Sequence, residues 1–233
     1  MPRDAQIQMR RDTAANWTST NPTLAAGEYG FESDTGMVKI GDGTTAWTSL
    51  QYVSLRMTEW ASGQDGTFVD VFPRTSISSS NLSLGNGNLR ATFFTATRTF
   101  AVASIGVIVT TAATDTGGTT YRRLALCTVS GSTVTVVAQT ANTSTMFNAT
   151  GLQSYALTSS YTINAGTRYA VLVFLNNSGG TFGAPSIAQI NTDGTAASVS
   201  PRLNGAQTGL TGDLGTSYTF SGASGAVPFF RLT

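Results

Sequence analysis

Two triplets in this chain of 233 residues have the make-up of a catalytic aspartate loop, Asp34-Thr35-Gly36 and Asp115-Thr116-Gly117. Acid-protease chemistry needs two such carboxylates sharing one proton, each in a constrained loop with apolar flanks. The first triplet lies between two short alternating runs and reads as a hairpin turn. The second is followed by Gly118 in a polar stretch and reads as a loop. Glycoside hydrolysis is the other carboxylate chemistry to weigh, and it needs two carboxyl groups about 5–9 Å apart. After Glu59 the chain has no glutamate. Its aspartates there are Asp65, Asp70, Asp115, Asp193 and Asp213, most beside Gly or Thr as turn residues are. Histidine is absent, which removes Ser-His-Asp and Cys-His catalysis and every histidine-ligated metal site. Cys127 is the single cysteine, so it reads as a small core hydrophobe rather than a disulfide partner or part of a zinc site. The sequence predicts no catalytic residue, no metal and no cofactor.

Hydroxyls and amides dominate instead. There are 39 Thr and 24 Ser, charged residues are 11%, the net charge is +1, and Lys39 is the sole lysine. Counterion-driven binding to nucleic acid needs a clustered basic surface, which this composition does not predict. The most apolar window, Phe100 to Val109, is too short to span a bilayer. The start, Met1-Pro-Arg-Asp-Ala-Gln6, lacks the apolar core of a signal peptide, so synthesis in a cytoplasm is expected. Glycan binding suits such a chain, because sugar faces stack on aromatic rings while their rims hydrogen-bond to amides and hydroxyls. The candidates are Asn176, Asn177 and Phe182, with Ser178 and Thr181 between them, and Tyr218. A solvated loop with one packed aromatic is the alternative for the same residues.

The elements that would position these groups fall into two regions. The first 60 residues hold five basic and seven acidic groups, and the remaining 173 hold eight and five. This shift, with the turn-rich run Ala61 to Gly66, predicts a first domain over 1–60, a linker and loop over 61–90, and a second domain over 91–233. In the first, Ile7 to Arg11 alternates as a half-buried strand does. Asp12 is placed to cap a short helical turn that Pro22 must stop. Glu28–Ser33 and Met37–Ile40 flank a turn at residues 34–36, and Gly41-Asp42-Gly43 makes another. About 50 residues of such pieces hardly enclose a core, so Trp17, Phe31, Trp47 and Tyr52 are expected to need a partner's surface in an intertwined oligomer. Arg10 and Arg11 alternate, with Asp12, Glu28 or Glu32 as expected inter-chain partners.

The second region predicts about ten short strands rich in Val, Thr, Phe and Tyr, from Ala91 to Leu232, with Gly, Asn and Ser turns and no helix between them. The fold class is therefore all-β, with an antiparallel sandwich of jelly-roll type. Leu124 and Leu126 fall on one face of their strand and Cys127 on the other. The nearly all-apolar run Tyr169 to Phe174 reads as a central strand covered on both sides. Arg122 and Arg123 face opposite sides, one expected in solvent and the other toward an inter-subunit or inter-sheet partner.

The ordered run Ile7-Gln-Met-Arg10-Arg11-Asp12-Thr13-Ala-Ala-Asn16-Trp17, then Asn21-Pro22, Gly27-Glu28-Tyr-Gly30, Glu32-Ser-Asp34-Thr35-Gly36 and Lys39-Ile40-Gly41-Asp42-Gly43 with Trp47, resembles a known domain. It is the N-terminal domain of bacteriophage tail-fibre and receptor-binding proteins, in the family named for the major tropism determinant. The resemblance covers about residues 5–52. It implies a small trimeric β-rich knob that attaches an appendage to the virion, with Ile7, Arg10, Arg11, Trp17, Phe31 and Trp47 as docking and trimerisation positions. Tyr121–Gln139 and Ile163–Val171 are similar to jelly-roll modules of phage fibres and decoration proteins. The C-type-lectin-like end of the tropism determinant is missing, so receptor variation through a lectin is not implied. The resemblance thus implies a virion structural protein, a short homotrimeric fibre or spike. Its expected partners are its own copies, other virion proteins and a host-surface glycan, with neither nucleic acid nor membrane insertion involved. A capsid head fibre or decoration protein is the alternative, and a polysaccharide depolymerase the third reading.

Overall fold

The computed structural model describes residues 9–53, 68–192, 200, 202–221 and 225–233. The chain forms two compact units, Met1–Thr58 and Glu59–Thr233.

The first unit is built from strand β1 (Arg10–Asp12), helix α1 (Ala14–Thr20), strands β2 (Tyr29–Glu32) and β3 (Val38–Ile40), and a 3₁₀ turn Trp47–Ser49. β1 runs parallel to β2, which pairs antiparallel with β3. The expected strand Ile7 to Arg11 is thus placed at Arg10–Asp12, and Ile7 lies outside the described residues. Helix α1 is capped by Thr13, whose hydroxyl accepts from the Asn16 N–H, and not by Asp12 as the sequence suggested. The Asp12 carboxylate sits one residue earlier and accepts from the Thr13 N–H at 2.8 Å and the Asn16 amide at 2.7 Å. Asp34 reaches across from the hairpin turn to accept from the Ala14 N–H at 2.9 Å, so the first Asp-Thr-Gly triplet ties turn to helix. The helix stops at Asn21, in the left-handed conformation at φ 43°, one residue before Pro22.

The core of this unit is Trp17, Leu24, Trp47 and Leu50. The two indoles stack with centroids 4.1 Å apart and planes 14° from parallel. Gly30 on β2 lies flat against the Trp47 ring, where any side chain would run into the indole. The expectation that Trp17 and Trp47 need a partner's surface is therefore corrected. Each ring covers the other within one chain, and a glycine lets the sheet close over them.

The second unit is all β. Its strands are β4 (Val69–Asp70), β5 (Asn81–Ser83), β6 (Asn88–Thr95), β7 (Phe100–Thr111), β8 (Thr119–Ser130), β9 (Thr133–Gln139), β10 (Gly151–Ile163), β11 (Arg168–Ser178), β12 (Ser186–Asn191), β13 (Asn204–Gln207), β14 (Ser217–Thr219), β15 (Ala226–Pro228) and β16 (Arg231–Leu232). They make a six-stranded sheet in the order β13-β6-β11-β8-β9-β14 and a seven-stranded sheet running β15-β12-β7-β16-β4, with β10 on β7 and β5 on β12. Every pairing in both sheets is antiparallel.

The main core lies between the sheets. Val102, Ile105, Val107 and Val109 of β7 meet Leu124 and Leu126 of β8 and Val171, Val173 and Leu175 of β11. The alternate residues Ala125, Cys127, Ala170, Leu172 and Phe174 point to the other face of the six-stranded sheet. There they are covered by Leu210, Leu214, Tyr218 and Phe220. The predicted split of Leu124 and Leu126 from Cys127 and the double coverage of β11 both hold. Burial pushes the Cys127 thiol well above its ordinary range, as expected of a core hydrophobe. The run expected as a loop, Ser76 to Asn88, contains β5, and the expected strand Val227–Leu232 divides into β15 and β16 around buried Phe229 and Phe230.

Candidate functional site

The three-stranded sheet of the first unit has two unlike faces. Gly30 pairs with Lys39, and with Glu32 they point toward the indole core. Lys39 is 4% exposed; its ammonium donates to the Trp47 carbonyl at 2.7 Å and sits over the Trp47 and Tyr52 rings at 4.8 and 4.3 Å. The Tyr52 hydroxyl donates to Glu32 at 2.7 Å. Burial pulls the Lys39 amine below its usual range, against the opposing effect of the Glu32 charge. Burial, reinforced by the Glu32 hydrogen bond, pushes the Tyr52 phenol up to about 12.

The other face carries Tyr29 opposite Ile40 and Phe31 opposite Val38, with Arg11 beside Phe31. Tyr29, Ile40 and nearby Met37 are exposed, and Phe31 and Val38 are half-covered. Together they make a contiguous apolar face on this small unit. The sequence-derived docking residues therefore separate. Trp17 and Trp47 are interior, Phe31 lies on the apolar face, and Arg10 and Arg11 are exposed. Arg10 already has an acidic neighbour in its own chain, Glu28 at 3.6 Å, and lies over the Trp17 ring at 5.1 Å. Sequence reasoning missed Tyr29, Val38 and Ile40, although the period-two alternation of β2 and β3 carried them.

In the sandwich, the second Asp-Thr-Gly triplet lies in the loop between β7 and β8 as expected, with Thr116 and Gly117 exposed, but the Asp115 side chain turns inward. Asp115 is buried, accepts from the Gly183 N–H at 2.8 Å and pairs with Arg122 at 3.0 Å. Arg122 is 1% exposed; it also donates to Asn148 at 2.6 Å and to the Met146 carbonyl, while its N–H donates to Asn142 at 2.8 Å. Arg122 thus ties the 142–148 loop at both ends, by its backbone at Asn142 and by its side chain at Met146 and Asn148. The loop contains Phe147 at φ 65°, a conformation that costs an aromatic residue energy. Its N–H donates to the Tyr155 hydroxyl at 2.8 Å. Arg123, on the opposite face, is not free in solvent either. It forks Asp213 at 2.9 and 2.6 Å and donates to the Thr140 carbonyl at 2.6 Å.

The Arg123 fork holds the Asp213 carboxyl below its ordinary value of 3.8, through the hydrogen bond first and the charge last. A depressed folded-state value gives stability that is fully present above about pH 4 and fades as the pH falls through the folded value. The stability gap between wild type and Asp213→Asn should be constant above about pH 4 and close below it. Urea melts across pH 2–7 check this, and a gap independent of pH contradicts it.

The glycan candidates are placed differently from expectation. Asn176 and Asn177 are buried, because β11 stays paired with β8 as far as Ser178 opposite Thr119. Asn176 donates to the Gly212 carbonyl at 3.1 Å and Asn177 to the Thr181 carbonyl at 3.2 Å. The Asn177 backbone exchanges hydrogen bonds with the Asn86 side chain at 2.7 and 3.0 Å. Phe182 packs on the main core and Tyr218 on the outer cluster, its hydroxyl accepting from the Gly215 N–H. The Asn177–Thr181 contact brings Asn177 to the Phe182 loop, whereas Tyr218 belongs to the cover of the opposite face.

All three described aspartates of this unit face arginines: Asp70 faces Arg74 and Arg231, Asp115 faces Arg122, and Asp213 faces Arg123. Among the described residues, no three acidic or cysteine side chains gather as a metal site, and no helix is long and apolar enough to cross a membrane.

Comparison with known proteins bears on the first unit. Residues 7–45 match the family described as the major tropism determinant N-terminal domain. A 49-residue stretch is 39% identical to proteins named hyaluronoglucosaminidase from Streptococcus pyogenes phages H4489A and H10403. That stretch is 21% of this chain and only 13% and 14% of those two proteins. The resemblance read along Ile7 to Trp47 is thereby borne out, and the first unit carries a domain of a kind found in bacteriophage proteins.

Proposed function

We propose that this chain is a bacteriophage virion protein of the fibre or spike type, docked by its first unit and displaying its sandwich for attachment to a host-surface glycan. The observation that carries this is where the likeness falls. It covers a stretch that folds around its own core, and it is shared with phage proteins over only a small share of their length. A module reused this way suits a common task such as anchoring to the particle, with the differing remainder facing outward.

The apolar face of Tyr29, Phe31, Val38 and Ile40 supports self-association, with three copies closing around it. In equilibrium sedimentation the wild-type chain should run at three times its 24.2 kDa mass, and Ile40→Glu at one times that mass with unchanged circular dichroism. A monomeric wild type overturns the trimer.

The relatives' name brings polysaccharide cleavage into view. A glycosidase's general acid needs a carboxyl kept protonated, and an adjacent arginine does the opposite. Asp213 has that neighbour in Arg123, and the Asp70 and Asp115 side chains are buried in ion pairs with arginines, so the described aspartates favour binding over cleavage. Electron cryomicroscopy of intact particles tests the assignment. Density at the tail tip or baseplate, with the sandwich outward, is expected. Density over capsomers would move the function to capsid decoration.

A further inference from the structure

The chain enters the sandwich at Phe68, whose carbonyl accepts from the Arg98 guanidinium at 3.1 Å, so entry is at the turn between β6 and β7. From that turn β7 runs 12 residues, roughly 35 Å at about 3.3 Å each, to the opposite end. The loops 112–118, 141–150 and 178–185 gather there. β8 starts and β11 finishes at that end with Thr119 opposite Ser178, and β10 starts there with Gly151 opposite Val109. These loops are fastened to one another. Thr116 and Thr181 exchange both backbone hydrogen bonds, at 3.0 and 2.9 Å, and the Asn177 amide donates to the same Thr181 carbonyl. Asp115 accepts from the Gly183 N–H and pairs with Arg122, whose guanidinium also donates to Asn148 Oδ1 at 2.6 Å. The backbone pairing sets the Thr116 and Thr181 side chains on one side, about 5 Å apart. Both are exposed, and neither hydroxyl has a hydrogen bond among the described residues. Asn148 is exposed too, and with its Oδ1 held by Arg122 its Nδ2 group remains to donate outside the chain. The half-covered Phe182 follows Thr181 directly. Asp115 is the only charged residue in the three loops, and Arg122 neutralises it. This end therefore presents hydroxyls, amides and glycines without net charge.

We propose that this end of the sandwich, opposite the chain's entry, is the contact surface for a neutral polysaccharide of the host surface, with the Thr116 and Thr181 hydroxyls and the Asn148 amide as its hydrogen-bonding groups. Sugar hydroxyls both donate and accept, and protein hydroxyls and amides answer them without the desolvation cost of a charge. Loops already tied in place lose little conformational freedom on binding. This deepens the attachment reading and rests on it. The polymer contacted is uncharged, and Asn177 acts from behind, holding Thr181 in place instead of touching the sugar.

Co-sedimentation of the full chain with cells of the phage's host, quantified by immunoblot, tests it. The wild type should bind the cells equally at about 50 and about 500 mM salt, because no net charge is involved. Binding should survive protease treatment of the cells and be lost after periodate, which cleaves the diols of sugars. Thr116→Val combined with Thr181→Val removes both hydroxyls at exposed positions. Asn148→Asp keeps an oxygen for Arg122 and removes the amide donor. Each should weaken binding about tenfold with unchanged circular dichroism, and if one fails to fold the other decides. Wild-type binding that protease or the higher salt abolishes overturns the neutral-glycan contact, since the receptor is then a protein or an acidic polymer. Variants that bind as the wild type does, while wild-type binding stays periodate-sensitive, overturn this surface and leave the attachment reading standing. A wild type that binds no host cells overturns that reading and the surface with it.

Discussion

Asp115→Ala should lower the stability of the sandwich by about 3–5 kcal/mol, because it leaves the Arg122 charge buried without its counter-ion. Almost no surface of either side chain reaches water, so solvent cannot take over the lost partner's role. Asn148 and the Met146 carbonyl remain as acceptors for Arg122, but neither carries a charge. The effect should spread, since Asp115 also holds the Gly183 N–H and Arg122 pins the loop that contains Phe147. Urea unfolding followed by far-ultraviolet circular dichroism measures it. The diagnostic companion is the double variant Asp115→Leu with Arg122→Met, which removes both charges and should recover most of the loss. A single variant within about 1 kcal/mol of wild type would show that the pair is not isolated from solvent in the folded chain.

Trp47→Ala should unfold the first unit while the sandwich stays folded. Truncating a buried tryptophan costs about 3–5 kcal/mol in a sizeable core. Among the described residues the core has four members, and the ring being removed also stacks on Trp17, packs on Gly30 and supports the Lys39 ammonium. So small a core has little other apolar burial to draw on. Limited proteolysis should cut the variant among its first 50 or so residues and spare the β6 to β12 strands. Two-dimensional NMR should show sandwich resonances unmoved. Full protection of the first unit in Trp47→Ala would mean that its stability comes from a neighbouring copy and not from its own indoles.

The parts of the fold legible in the sequence are those whose information is local. β7, β8 and β11 announce themselves because many β-branched and apolar residues alternate or run together, and their strand lengths exceed any turn motif. β13, Asn-Gly-Ala-Gln, has no such signal. It is a strand because Gly205 lets β13 lie against the Phe220 ring while pairing with β6, a fact fixed by residues 15 positions away and by another strand. β5 is hidden by the serines before it in the same way.

The candidate site follows the same division. Asn176 and Asn177 look like a loop because amides follow an apolar run. Only the continued pairing with Thr120 and Tyr121 on β8 shows that they are strand residues. Asp115 looks like a turn residue because Thr and two glycines follow it, whereas its burial is set by Arg122 and Gly183. The stacking of Trp17 on Trp47 joins positions 30 apart, so composition alone assigned both rings to a partner chain. The motif from Ile7 to Trp47 was legible because its residues occur in a fixed order, and the fold then gives several of them physical work: Gly30 under the indole, Asp34 at the helix, Lys39 in its cage.

That cage has a consequence for how the chain can be handled. Its sole lysine is enclosed by two rings and a carbonyl, so the folded chain offers amine-reactive reagents no lysine side chain on its surface. Dyes, biotin esters and cross-linkers aimed at lysine will therefore reach Lys39 only in those moments when the first unit opens. The yield of Lys39 adduct over time becomes a clock for that opening, read by mass spectrometry on unmodified protein, without a mutation or an added probe.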